Sequence, residues 1–167
     1  RFRASVLTRG LWNPAHQHAG PAIALACRAV EEQALAHGLT HVARLTANLL
    51  RPLPIAEIDV MVQTQYVGRN VGHFSVQLSA AGKDLGLFTA MVQRENHLLL
   101  PDTMPGHPLP QAPRSWEESM PDVFPFKEGL LGYSELVELR VARGTLFQGP
   151  SAVWIRMRHP LVDGQLP

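Results

Sequence analysis

The chain has 167 residues, 46% of them hydrophobic and 17% charged, with a formal net charge of +1. This is an ordinary globular composition with enough apolar material for a core, and without a basic run it argues against nucleic acid or an anionic membrane surface as partner. Cys27 is the only cysteine, so an internal disulfide is impossible and a reducing, cytoplasmic compartment fits. No signal peptide, spanning segment or lipidation motif is legible, and the chain opens on Arg1 rather than Met, so its natural start is expected to be missing.

In chain order, a first strand is predicted over Phe2 to Arg9. Trp12-Asn13-Pro14-Ala15-His16-Gln17-His18-Ala19-Gly20-Pro21 is a turn rich in Pro, His and Gly that feeds a helix. The helix should start near Gly20 or Pro21, because proline is tolerated at a first helical position where its missing N–H is no loss. It should end near Ala36 or His37, with Gly38 as the left-handed stop. Arg28 is the only charge from Pro21 to Val30, and a helix apolar on nearly every side is expected to be buried all round. Alternation then marks strands over Ala43 to Leu49, Ile58 to Tyr66, Phe74 to Ser79 and Gly86 to Glu95. Gly68-Arg69-Asn70 forms a turn between them and Ala81-Gly82-Lys83-Asp84 a hairpin loop. Residues 1–96 thus read as β-α-β-β-β-β, one apolar helix wrapped by a single antiparallel sheet.

Seven of the fourteen prolines fall between Pro101 and Pro125, a density that neither helix nor central strand tolerates. Residues 97–123 are therefore predicted to be a stiff linker, and Trp116, Met120 and Phe124 to tack this stretch onto a folded surface. Within residues 124–167, Val137 to Val141 and Ala152 to Arg158 read as two more strands. Two strands cannot enclose a core. Truncation is the favoured explanation, ahead of addition to the first sheet or cover by a partner chain.

The order Trp12, Pro14, Gln17-His18, Gly20-Pro21, the apolar helix, Ala43-Arg44-Leu45-Thr46 and Leu50-Arg51-Pro52-Leu53-Pro54 resembles the thioesterase-like superfamily of double hotdog proteins, acyl-CoA thioesterases of the thioesterase II type. Val153-Trp154-Ile155-Arg156-Met157-Arg158 followed by Pro160-Leu161-Val162 resembles the opening of that family's second repeat. The resemblance implies an α+β hotdog fold, a central helix wrapped by a curved antiparallel sheet. Residues 1–96 would be the first repeat, 97–123 the linker and 124–167 the start of the second, with the two repeats side by side in one continuous sheet. It further implies an enzyme of fatty acid metabolism that hydrolyses an acyl-CoA to a free acid and coenzyme A, without metal or redox cofactor, and that forms a homo-oligomer. The family's catalytic carboxylate sits on the second helix, so the catalytic base is expected beyond Pro167 and no residue here is assigned as catalytic.

Thioester hydrolysis needs a donor to polarise the carbonyl, a base or nucleophile to activate water, and a tunnel for the acyl chain. A helix N-terminus supplies the first through free N–H groups and the helix dipole. His16, His18 and Gly20 stand at such an end and are the candidate substrate-binding residues; Gly20 would admit a ligand close to the backbone. The second requirement fails locally, since the first acids are Glu31 and Glu32, well along the helix. His18 is otherwise explained as a turn residue bonded to neighbouring backbone, and a His-x-His pair without a third ligand is weak evidence for metal. Cys27 reads as a small core residue rather than a nucleophile, and Glu57 and Asp59 as solvated edge residues. Arg51, Arg69 and Arg94 could meet coenzyme A phosphates but are more simply surface residues. Trp12 is expected to pack over the helix start rather than stack on adenine. Leu25, Leu45, Leu49, Phe74, Phe88 and Met91 would line a tunnel or fill a core. The rival readings are a non-catalytic acyl-CoA-binding or scaffolding hotdog and, third, an enoyl-CoA hydratase, which needs an acid beside the histidines.

Overall fold

A computed structural model of the chain describes residues 1–96, 99, 101, 113–124 and 131–164, which fall into two compact units, Arg1–Asn96 and His97–Pro167. The first unit runs β1 (Phe2–Arg3), α1 (Ala19–Leu35), β2 (His41–Leu49), β3 (Glu57–Val67), β4 (Val71–Ala80) and β5 (Lys83–Gln93). Its five strands form one antiparallel sheet in the order β1-β3-β4-β5-β2. Register shifts at Val42/Arg44, Thr64/Tyr66 and Leu78/Ser79 mark β-bulges. Each bulge adds twist and bends its strand, which helps the sheet curl.

Helix α1 lies on the concave face, and its buried stripe explains how closely it sits. Ala22, Ala26, Val30 and Ala34 recur every fourth residue, and all are buried. Small side chains on one face let the helix backbone approach the sheet. The strands answer with rings and branched chains placed opposite gaps. Across the β4–β5 ladder, Phe74 pairs with Ala90, Phe88 with Val76, Leu78 with Gly86 and Val92 with Gly72. Glycine is needed at position 72, where a Cβ would stand 2.7 Å from Leu39 Cδ1 and 2.9 Å from Phe74 Cε2. We expect Gly72→Ala to destabilise the unit by about 1–3 kcal/mol through overpacking, measurable as a lower urea midpoint at unchanged m-value.

Three expectations need correction here. The first strand is only Phe2–Arg3; Val6–Thr8 is a 3-10 turn, because the Ser5 hydroxyl caps it by accepting from Leu7 N–H. The helix starts at Ala19, so Pro21 stands at the third helical position. The helix is not buried all round. Ala24 and Leu35 are exposed and Leu25 and Cys27 half-buried, since the sheet covers only the alanine stripe. The C-terminal stop is as expected: Gly38 has φ 67°, its N–H donates to Leu35 and Leu39 N–H donates to Ala34. The β4–β5 hairpin turns on Ala81 and Gly82, both with positive φ, while Lys83 and Asp84 already belong to β5.

The second unit holds β6 (Met120–Asp122), a helical turn α2 (Tyr133–Leu136), β7 (Val137–Arg143) and β8 (Ala152–Met157), in the sheet order β6-β7-β8. A third strand therefore joins the two that alternation finds, and it lies inside the stretch read as linker. The guanidinium carbons of Arg140 and Arg156 lie 4.7 and 3.9 Å from the centroid of the Trp116 ring. Trp154 Nε1 donates to the Arg114 carbonyl at 2.8 Å. Trp116 thus tacks its segment to the sheet, whereas Met120 is exposed. Residues 125–130 and most of 97–112 lie outside the described residues.

Candidate functional site at the start of helix α1

The segment 9–18 is pinned between two strips of backbone. His18 N–H donates to the Thr8 carbonyl at 2.7 Å, Gln17 N–H to the Leu53 carbonyl at 2.7 Å and Ile55 N–H to the Ala15 carbonyl at 3.0 Å. The Gln17 side chain adds a bond to the Pro54 carbonyl at 2.7 Å. Prolines 52 and 54 lack an N–H, so this strip offers acceptors, and Gln17 is the residue that reads them. Its bracing role is missed in the sequence, where it is only part of the Gln17-His18 motif.

His18 is the N-cap of α1. Its extended backbone (φ −67°, ψ 145°) suits a cap, and its Nδ1 accepts from Gly20 N–H at 3.1 Å. Nδ1 must be unprotonated to accept, and burial pushes the imidazole below its ordinary value of 6.5. Protonation would abolish the cap and set a positive charge at the positive end of the helix dipole. Because the folded value is lowered, this stability is present above about pH 6.5 and lost as pH falls through the lower folded value. We expect thermal stability to fall on acidification below that point. In His18→Asn, which caps without titrating, the fall should be blunted, as a melting series from pH 7.5 to 5 would show.

Fewer N–H groups are free at this end than a bare helix start would leave. His18 N–H is bonded to Thr8, Gly20 N–H is bonded to His18, and Pro21 has none. Among the described residues, the Ala19 N–H of the first turn is given no acceptor by the fold. The structure thus brings His18 and Gly20 together, but it employs both in the cap. His16 takes part through its backbone, accepting from Gly10 N–H at 2.9 Å and bridging to Pro54. Ala19 is invisible to motif reading, yet counting donors after a capping His and before a Pro would have found it.

Other candidates resolve as structure. Arg51 donates to the Asp84 carbonyl at 2.8 Å, and Arg94 to the carbonyls of Arg69 and His37 at 3.1 and 3.4 Å, closing off the C-terminal end of α1. Glu57 and Asp59 are solvated but ion-paired: Arg3 holds the Glu57 carboxyl, and Arg1 the Asp59 carboxyl, below the usual carboxylate range. Burial pushes the Cys27 thiol up, with the Glu31 carboxylate acting in the same direction, against a nucleophilic role. Phe74 and Phe88 fill the core, while Leu25 lines an open groove of about 380 Å³ with Phe2, Arg28, Ala29, Val60 and Val62. No group of three His, Cys, Asp or Glu among the described residues is placed to hold a metal, and none of their helices is long and apolar enough to cross a membrane.

A long helix cradled in a curled antiparallel sheet defines a hotdog domain. Residues 8–94, more than half of the chain, match the family described as the acyl-CoA thioesterase N-terminal domain. The chain belongs to that family. Solved structures share the fold. A conserved hotdog protein of unknown function from Alicyclobacillus acidocaldarius is 21% identical with TM-score 0.60, over 89% of this chain and 54% of its own. The second is a putative thioesterase from Novosphingobium aromaticivorans, 18% identical with TM-score 0.59 over 85% and 54%. A putative thioesterase II from Thermobifida fusca is 18% identical with TM-score 0.56 over 77% and 44%. The chain thus spans about half the length of these three structures. No curated protein matches it.

Proposed function

We infer that this chain is the first hotdog repeat, and the opening of the second, of a protein that hydrolyses an acyl-CoA thioester to a free acid and coenzyme A. The observation that carries the reading is the helix start, where Ala19 N–H is without an acceptor at the positive end of α1 in a domain of the acyl-CoA thioesterase family. As a water attacks the thioester, the carbonyl oxygen gains negative charge. A fixed N–H aimed at that oxygen stabilises the transition state more than the ground state. His18 and Gly20 hold the turn that presents the donor, and Gly20 leaves room for the ligand.

The base that activates water comes from outside residues 1–96, in this proposal from the second repeat beyond Pro167. Glu31 and Glu32 lie past the third turn of α1 and are exposed. Among the described residues, strand β2 pairs only with β5 and stands at an edge of its sheet; oligomerisation is read as a property of the whole protein. The same lack of a local acid favours one alternative, an acyl-CoA-binding or scaffolding protein. Incubating the product of the complete reading frame with an acyl-CoA and identifying the products by mass spectrometry separates the two. Free acid and coenzyme A are expected, whereas tight binding with intact acyl-CoA recovered would establish the binding role instead.

A further inference from the structure

Trp12 meets the helix start through the ring of its N-cap, His18, but is not buried there: it is 84% exposed, against 41% for Trp154. One face of its indole lies nearly parallel to the His18 imidazole, with centroids 6.3 Å apart and planes at 17°. That imidazole is the group that caps Gly20. The turn carrying Trp12 is fixed by its own bonds: Gly10 N–H to the His16 carbonyl at 2.9 Å, His16 N–H to the Asn13 carbonyl at 3.0 Å, and Ala15 N–H to Asn13 Oδ1 at 2.8 Å. Leu11, its neighbour in sequence, is also largely exposed. A large flat apolar surface is therefore held beside the ring of His18, the residue that precedes Ala19.

We propose that Trp12 is a specificity-determining residue, the wall against which the acyl group packs when a thioester carbonyl lies at the Ala19 N–H. The inference rests on the function proposed above and adds to it which end of the substrate this aromatic meets. Chain length decides between the ends. The whole pantetheine arm and a diphosphate separate a coenzyme A thioester from its adenine, whereas Trp12 stands one stacked ring from the helix start. The nearest pantetheine atoms run into polar amides. The carbons on the acyl side of the carbonyl are the apolar group in reach, and an aromatic face gains most from burying them.

The test uses calorimetry on the complete protein with two ligands. One is a 2-oxoalkyl thioether of coenzyme A, which keeps a carbonyl but cannot be hydrolysed; the other is free coenzyme A. Trp12→Ala should weaken binding of the thioether about tenfold or more and leave free coenzyme A unchanged, while Trp12→Phe retains most of the affinity. Equal weakening of both ligands would place Trp12 at the nucleotide and overturn the proposal. Unchanged binding of both would also overturn it, as would a fall in melting temperature with normal affinities, which would mark Trp12 as a packing residue. A wild-type protein that binds neither ligand would remove the proposed function itself, and this inference with it.

Discussion

Phe74→Ala is expected to destabilise the first unit by about 3–5 kcal/mol, the usual cost of removing a fully buried ring. Phe74 is 1% exposed, belongs to the same buried cluster as the alanine stripe of α1, and pairs with Ala90 across the sheet. Ala90 and Gly72 beside it are small and cannot fill the space that the ring would leave. A loss of this size is a large part of a domain's typical stability of about 5–15 kcal/mol. It should lower the melting temperature by more than about 10 °C in a unit near 100 residues. Met61 is 51% exposed on β3, and Met61→Ala should change stability by less than about 0.5 kcal/mol. Comparable melting of the two variants would mean that the helix does not seat on these strands.

Ala19→Pro is expected to lower kcat for acyl-CoA hydrolysis by about 10²–10³-fold, the effect of removing one oxyanion donor, with little change in stability. The substitution deletes one N–H, and that N–H takes part in no bond of the fold. Position 19 is the first helical residue, where proline is favoured. His18, which precedes it, already has the extended backbone that a following proline demands (φ −67°, ψ 145°). Ala19→Gly keeps the donor and is the control, expected to stay within a fewfold of the natural protein. Full activity in Ala19→Pro would remove the helix start from the mechanism, while a collapse in stability would show that the turn tolerates less than its dihedrals suggest.

Much of the first unit was legible because local signals agree with packing. The alternation of Phe74, Val76 and Leu78 marks β4, and Gly38 marks the end of α1, because period and turn chemistry need no distant partner. What failed depended on competition or on three-dimensional cover. Phe2 to Arg9 has strand composition, but the Ser5 hydroxyl and the Ser5 carbonyl, which accepts from Thr8, turn the chain after two residues. The apolar circumference of α1 suggested burial on all sides, yet many of its residues are alanines, whose small area tolerates water. The candidate site was half legible. Its place at the helix start followed from Gly20 and Pro21, but which donor stays unpaired depended on His18 folding back to cap Gly20. Trp12 shows the same limit, since nothing in composition tells a packed tryptophan from an exposed one.

The most direct test of the central claim is thiol release from short-, medium- and long-chain acyl-CoAs by the protein made from its complete reading frame. Saturable turnover that varies with acyl length, and falls in Ala19→Pro, is the predicted result. Rates equal to background across the whole panel would contradict the hydrolase.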